Sequence, residues 1–477
     1  MRLTGFIGPS YTLRSVNFDC QRSVNLYPEF DETGTGKERE IAMLVGTPGL
    51  RQLLTVGEGP IRGVFTASNG IIYVVSKDKL YSVDASWSPS YIGQLNTVGG
   101  QVSMADNGQQ LCLVDGPCGY IYTFATAAFA RITSGNFLGA DKVAFQDGYF
   151  IFNKPNTGQF YITGLYDGFT IDALDFATAE GAPDNIVSLL SDHRELWLFG
   201  DRSVEVFFNS GNPDFPFERV QGAFIEHGCA AAHSVAKLDN TVFWLGQDDK
   251  GAGVVYAAQG YAPNRISTHA VEYAIQSYGD PSDAVAYTYQ QDGHSFYALN
   301  FTSANTTWVF DTKTNLWHER TYTNSGQQER HRANCHAFAY NTHVVGDYQT
   351  NQLYALDMGY YSDNMQPITR LRVAPHLTQG LKRLFFNSFQ LDMETGVGLD
   401  GIQQGTDPQV MLQFSDDGGH SWSNEKWVSA GKLGKTKHRA LWRRLGQSRD
   451  RVFRVKVTDP VKVILMGVEV DAVGGGS

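Results

Sequence analysis

Clustered positive charge is scarce along most of this sequence, and that scarcity excludes several classes of protein at once. The 38 Lys and Arg stand against 49 Asp and Glu, a formal charge of −11. A surface that grips nucleic acid everywhere needs the opposite balance, because phosphate attraction depends on clustered cations. Cysteine is also sparse. Cys20, Cys112, Cys118, Cys229 and Cys335 are scattered, odd in number and without a CxxC pair, which disfavours a disulfide framework and suits a reducing cytoplasm. No stretch of 18 apolar residues occurs, and the first residues lack a basic start followed by an apolar run, so neither a membrane helix nor a secretory signal is read. Long helical periodicity is missing as well.

What the chain does hold is 50 Gly, 16 Pro and 13% aromatic residues, a composition for many short strands joined by tight turns. Seven times an Asn/Asp/Gly-rich turn leads into a short apolar strand, centred on Tyr73, Cys112, Phe150, Trp197, Phe243, Tyr297 and Val345. A second strand follows each one. These centres lie 39, 38, 47, 46, 54 and 48 residues apart, near the roughly 40 to 50 residues of one four-stranded propeller blade. The expectation is an all-β protein with a β-propeller over residues 56–365, of seven blades, with six plus a separate hairpin as the alternative. Residues 1–55 read as an N-terminal arm, with a charged stretch from Glu29 to Glu40 and a turn at Thr47-Pro48-Gly49-Leu50. Such an arm could supply a strand to the last blade, because closing the ring removes exposed strand edges.

After Gln366-Pro367 the period stops. Alternating runs such as Val410-Met411-Leu412-Gln413-Phe414 and Val452-Phe453-Arg454-Val455-Lys456 predict a C-terminal antiparallel β-sandwich over 366–473, followed by a flexible Gly/Ser tail at 474–477.

Two constellations stand out in that second region. Ser415-Asp416-Asp417-Gly418-Gly419-His420-Ser421-Trp422 matches the Asp-box pattern of sialidase-like propellers, with Ser415, Asp417, Gly419 and Trp422 at its key positions. It admits a carbohydrate-binding or glycosidase-like reading. Turn hydrogen bonding explains the same residues without chemistry, and no pair of carboxylates stands out as acid and nucleophile. The other constellation is basic: from Lys426 to Lys456 eleven cations face one acid, Asp450, a local +10 that leaves −21 for the remainder. Within it Lys435, Lys437, Arg439, Arg443, Arg444, Arg449 and Arg451 are candidate contacts to a partner or a second copy, and a solvated sheet face is the plainer alternative.

Catalysis finds little support. His227, Cys229 and His233, and separately His331, Cys335 and His336, lack a common zinc spacing, Ser295 beside His294 is mere adjacency, and no phosphate-binding or dinucleotide fingerprint occurs. No cofactor and no metal are expected.

Short motifs run in order along nearly the whole chain: Ser23-Val24-Asn25-Leu26-Tyr27-Pro28, Thr47-Pro48-Gly49-Leu50, Arg62-Gly63-Val64, Lys79-Leu80-Tyr81, Gln101-Val102-Ser103-Met104-Ala105, Arg202-Ser203-Val204-Glu205-Val206-Phe207-Phe208 and Ala440-Leu441-Trp442-Arg443-Arg444-Leu445-Gly446. In these the chain resembles the packaged-DNA stabilization proteins, or tail hub accessory factors, of short-tailed (podovirus) phages of enteric bacteria. The resemblance implies a structural tail hub and not an enzyme. It also implies a homohexameric ring below the portal and its adaptor ring, retention of packaged double-stranded DNA, part of the ejection channel, and attachment of tailspikes or fibres and the tail needle. It places the protein in the virion tail after assembly in the host cytoplasm, with no membrane insertion. The family supplies no catalytic residues to carry over.

Overall fold

Pairs of consecutive residues in the left-handed region set the architecture. Asp147-Gly148, His193-Arg194, Asp239-Asn240, Asp292-Gly293 and Tyr340-Asn341 each form a two-residue loop between paired strands. Positive φ at both positions makes a type I′ turn, whose twist matches that of the flanking strands. Five blades open on such a hairpin. The computed structural model describes residues 1–32, 42–179, 181–248 and 251–475. The part of the expected charged stretch at 33–40, and residues 476–477 of the expected tail, lie outside the described residues; Gly474 ends the last strand.

Seven sheets follow one another around the ring. Blades 1 to 3 run Ile61–Thr66 to Pro89–Gln94, Ser103–Asp106 to Ala128–Arg131, and Val143–Gln146 to Phe176–Thr178. Blade 4 runs Ile186–Asp192 to Phe217–Ile225. Blade 5 has a split first strand, Gly228–Cys229 and Ala236–Leu238, and ends at Ala262–Arg265. Blade 6 runs Val285–Gln291 to Leu316–Asn324. The seven apolar centres named above all lie on the second strand of their blade. Between blades 5 and 6 sits the one α-helix among the described residues, His269–Gln276, capped by Thr268 and buried through Val271 and Ile275.

Blade 7 takes three strands from Ala333–Ala339, Thr342–Asp347 and Gln352–Asp357, and its fourth from the arm: Gly49–Thr55 pairs antiparallel with Gln352–Asp357. The ring is thus closed by a strand from the opposite end of the chain. Apolar side chains fill the spaces between neighbouring blades, as where Val56, Ile61, Val74 and Val83 meet Val344 and Leu353.

The rest of the arm belongs to the sandwich, which the sequence reading did not anticipate. One sheet orders Cys20–Val24, Arg370–Val373, Asp450–Val457, Gln409–Ser415 and Lys426–Ser429. The other orders Leu26–Phe30, Ala42–Gly46, Ile464–Gly474, Leu384–Met393 and Ala440–Arg443. Between them Phe386, Phe389, Leu412, Trp442, Phe453 and Val468 form the core. Through Val24, which bridges to Glu319, the first sheet runs on into blade 6.

Candidate partner interface

The basic segment folds onto one border of the sandwich. Lys426–Ser429 ends one sheet and Ala440–Arg443 ends the other, and the indole Nε1–H of Trp442 donates to the Lys426 carbonyl (2.7 Å), tying the two edge strands together. The loop between them is pinned by backbone turns, with Gly434 donating to the Gly396 carbonyl (3.0 Å) and His438 to the Lys435 carbonyl (3.1 Å). Lys435, Lys437, Arg439, Arg443, Arg444 and Arg449 are all exposed along this border, as are Lys426 and Lys432. Edge strands commonly carry charge that blocks pairing with other sheets, so cations here serve that purpose whatever else they meet. Two apolar side chains stand among them, Trp427 at 56% and Leu433 at 61% exposure.

Arg451 does not belong to that surface. It is 1% exposed and lies inside the sandwich, where its guanidinium stacks near the rings of Phe414 (4.1 Å) and Phe386 (4.4 Å) and donates to the Leu445 carbonyl (2.6 Å). A side chain so enclosed cannot reach a partner, which removes it from the expected contacts. Arg454 and Lys456 are half-buried: Arg454 lies over the Trp422 ring (4.1 Å) and donates to Gln413 (2.7 Å), while Lys456 pairs with Glu425.

The Asp-box turn is a tightly hydrogen-bonded hairpin. Ser415 Oγ–H donates to Asp417 Oδ1 (2.7 Å), and Ser421 donates through its N–H to Oδ1 (2.9 Å) and through its hydroxyl to Oδ2 (2.5 Å). Those bonds from Ser415 and Ser421 favour the ionised carboxyl and hold it well below the usual carboxylate range. Gly418 and Gly419 have φ of +75° and +99°. A Cβ on Gly418 would lie 2.1 Å from Asn17 Oδ1, and one on Gly419 3.0 Å from Cys20 Sγ, so the turn packs directly on the N-terminal arm. Trp422 packs with Val16, Cys20, Val373 and Val452 in the same joint.

Two groups that sequence reasoning missed complete this joint. Arg372, with no exposed surface, donates to the carbonyls of Phe6 (2.6 Å), Pro9 (2.8 Å) and Gly5 (2.9 Å) and to Gln21 Oε1 (2.6 Å). Its burial lowers the guanidinium to about 9. His376 meets Cys20 Sγ (3.9 Å), Asp450 Oδ2 (2.8 Å) and the Val16 carbonyl (3.0 Å).

The other candidates scatter. Cys229 donates to the Ala231 carbonyl (3.2 Å), His331 meets the Tyr287 hydroxyl (3.3 Å), and His336 pairs with His343 (3.0 Å). Among the described residues no three His, Cys, Asp or Glu side chains are grouped to hold a metal ion. No helix among the described residues is long and apolar enough to cross a membrane. Trp87 packs edge-on against Tyr340 (5.5 Å).

Among solved structures the chain is similar to the WD40 propeller domain of Doa1 (12% identity, 64% of this chain and 96% of that one, TM-score 0.42). It is also similar to the N-terminal domain of Nup159 (9% identity, 70% and 98%, TM-score 0.42) and to PorZ of Porphyromonas gingivalis (12% identity, 64% and 38%, TM-score 0.39). No curated protein matches the chain. Residues 6–361 match the family model described as the β-propeller of bacteriophage P22 Gp10, and residues 369–473 match that of the Gp10 β-sandwich. With both parts matched over most of its length, the chain belongs to the bacteriophage P22 Gp10 family, the tail-associated stabilisation proteins of short-tailed phages.

Proposed function

We propose that the protein is a tail hub that assembles as a closed homohexameric ring, with the basic border of the sandwich as the contact to an acidic surface. That surface is the propeller of the next copy or the adaptor ring below the portal. The observation that carries this reading is the border itself: eight exposed cations between Lys426 and Arg449, in a chain that sums to −21 outside residues 426–456. Head-to-tail contacts of unlike faces make a ring when their rotation closes, and opposite charge selects the partner and the register.

In this role the protein retains packaged DNA, forms part of the ejection channel and offers attachment points for tailspikes or fibres and for the tail needle. Its acidic bulk suits a conduit that does not hold the passing double strand. It performs no chemistry of its own. The glycosidase reading has little to stand on, because the Asp417 carboxylate is committed to Ser415 and Ser421 and the turn is packed against the arm.

The test is reversal of charge at Arg443 and Arg444 together, each to Glu, in the full chain. The variant is expected to keep the wild-type circular dichroism and melting midpoint yet fail to form rings or to join a portal–adaptor complex in sedimentation. Unaltered assembly removes the assignment. A glycan array with a reducing-sugar release assay is expected to show neither binding nor turnover.

A further inference from the structure

The propeller holds a cavity of about 220 Å³, open to solvent, whose walls come from the first strands, or the turns just before them, of six of the seven blades. Such a position is the axis of the ring. The charged and titratable side chains that line it are Arg62, Lys142, His233, Tyr287, Cys335 and His336, and no Asp or Glu is among the lining residues.

Neither cation is compensated. Arg62, 3% exposed, places all five of its hydrogen bonds on neutral oxygens: the carbonyls of Gly100 (2.8 Å), Lys77 (2.8 Å), Thr97 (2.7 Å) and Gly99 (2.6 Å), and Thr97 Oγ1 (2.8 Å). A carboxylate, Asp115, is reached only through Thr97 (2.6 Å). Lys142 forms no ion pair or side-chain hydrogen bond with any described residue. Lys142 is half-buried, and desolvation pushes its ammonium down to about 8 against the opposing influence of Cys229 and Asp141. Although Lys142 belongs to blade 3, its charge acts on Cys229 and His233 of blade 5, so the ammonium reaches towards the axis. His233, held well below its ordinary value by burial and then by Lys142, and His336, lowered to about 3 by burial and then by His343, are neutral imidazoles at pH 7. His233 keeps one N–H to donate, whereas Nε2 of His336 is engaged by His343 Nδ1 (3.0 Å).

An ammonium with no acid beside it in the cavity wall favours the entry of a counter-ion. We propose that the axial cavity is a binding site for a small oxyanion of the size and charge of phosphate, with the Lys142 ammonium as its principal partner. His233 donates from the wall, and Arg62 contributes its positive field from behind. The site is independent of the ring contacts, since it lies on the axis of a single propeller.

The experiment is calorimetric titration of the full chain with inorganic phosphate, together with thermal melting in phosphate against chloride at equal ionic strength. Wild type is expected to bind one phosphate per chain and to melt higher in phosphate, because a ligand held only by the folded state stabilises it. Lys142→Met is expected to lose about tenfold or more in affinity, equal to about 1.4 kcal/mol, and to melt alike in both salts, while Lys142→Arg retains binding. Removing an unpaired charge does not threaten folding, and circular dichroism checks this; Lys142→Gln serves as a second variant. Equal melting of wild type in both salts, or phosphate binding by Lys142→Met as tight as wild type, overturns the proposal.

Discussion

The Arg451 guanidinium grips the Asp416 carboxylate through two hydrogen bonds, Nε to Oδ1 at 2.6 Å and Nη2 to Oδ2 at 2.8 Å. The arginine is buried and the aspartate is 43% exposed, so the pair joins the sandwich interior to the surface of the Asp-box turn. Removing the acid leaves an enclosed cation with only carbonyls and ring faces around it. Asp416→Ala is therefore expected to cost about 3 kcal/mol in urea unfolding, whereas Arg443→Ala, on the exposed border, is expected to change stability by less than about 0.5 kcal/mol.

His376 makes the attachment of the arm sensitive to pH. Its contacts with Cys20, Asp450 and Val16 raise it to about 9 from an ordinary 6.5. A raised value means that the charged form is the one the fold favours, so its contribution is complete below about pH 6.5 and is lost as pH climbs through 9. The melting midpoint of wild type is expected to fall between pH 7 and 9.5 more than that of His376→Gln. Parallel curves for the two proteins would count against this role.

Arg372 holds residues 5–23 by donating to several of their oxygens at once. Arg372→Leu leaves those carbonyls without a donor, at about 1–3 kcal/mol for each buried group that stays unpaired. Limited proteolysis is expected to cut the first twenty residues of this variant faster than those of wild type, with cleavage in blades 1 to 5 unchanged.

Gly49 begins the strand that closes blade 7, and a Cβ there would meet the Tyr360 carbonyl oxygen at 2.1 Å and that of Ser362 at 2.5 Å. Both neighbours are backbone and cannot swing aside. Gly49→Ala is expected to lower stability by about 2 kcal/mol, as overpacking does, and Gly49→Val by more. Equal melting midpoints for Gly49→Ala and wild type would show that the closing strand tolerates displacement.

The propeller was legible because each of its hairpins is local: Asp147-Gly148 and Asp292-Gly293 announce a turn, and the strands they join are neighbours in sequence. At His193-Arg194 and Tyr340-Asn341 the left-handed pair carries less usual residues, yet the strands around Trp197 and Val345 were still legible. The split of residues 20–46 between the two sandwich sheets was not legible, because their partners lie at 370–373 and 464–465, and an alternating strand does not name a distant partner. Arg451 is a different failure. It shares its parity with Phe453, Val455 and Val457, which all point into the core, so the alternation already placed it inside; counting it with its charged neighbours obscured that. Arg372 and His376 gave no signal, since lone basic residues in a strand and a loop acquire their roles only from the arm folded over them.

The strand Gly49–Thr55 has a consequence for the order in which the molecule is made. It leaves the ribosome among the first residues, yet its partner, Gln352–Asp357, emerges some three hundred residues later. Cys20–Val24 and Ala42–Gly46 wait longer still, for strands at 370–373 and 464–474. Six blades can condense from local contacts during synthesis, and Leu26–Phe30 can pair with Ala42–Gly46, but Gly49–Thr55 must wait without its partner, its edges open to strangers. Completion is therefore a single late event in which the two ends of the chain meet, and a truncated product would be expected to aggregate instead of persisting as a smaller propeller.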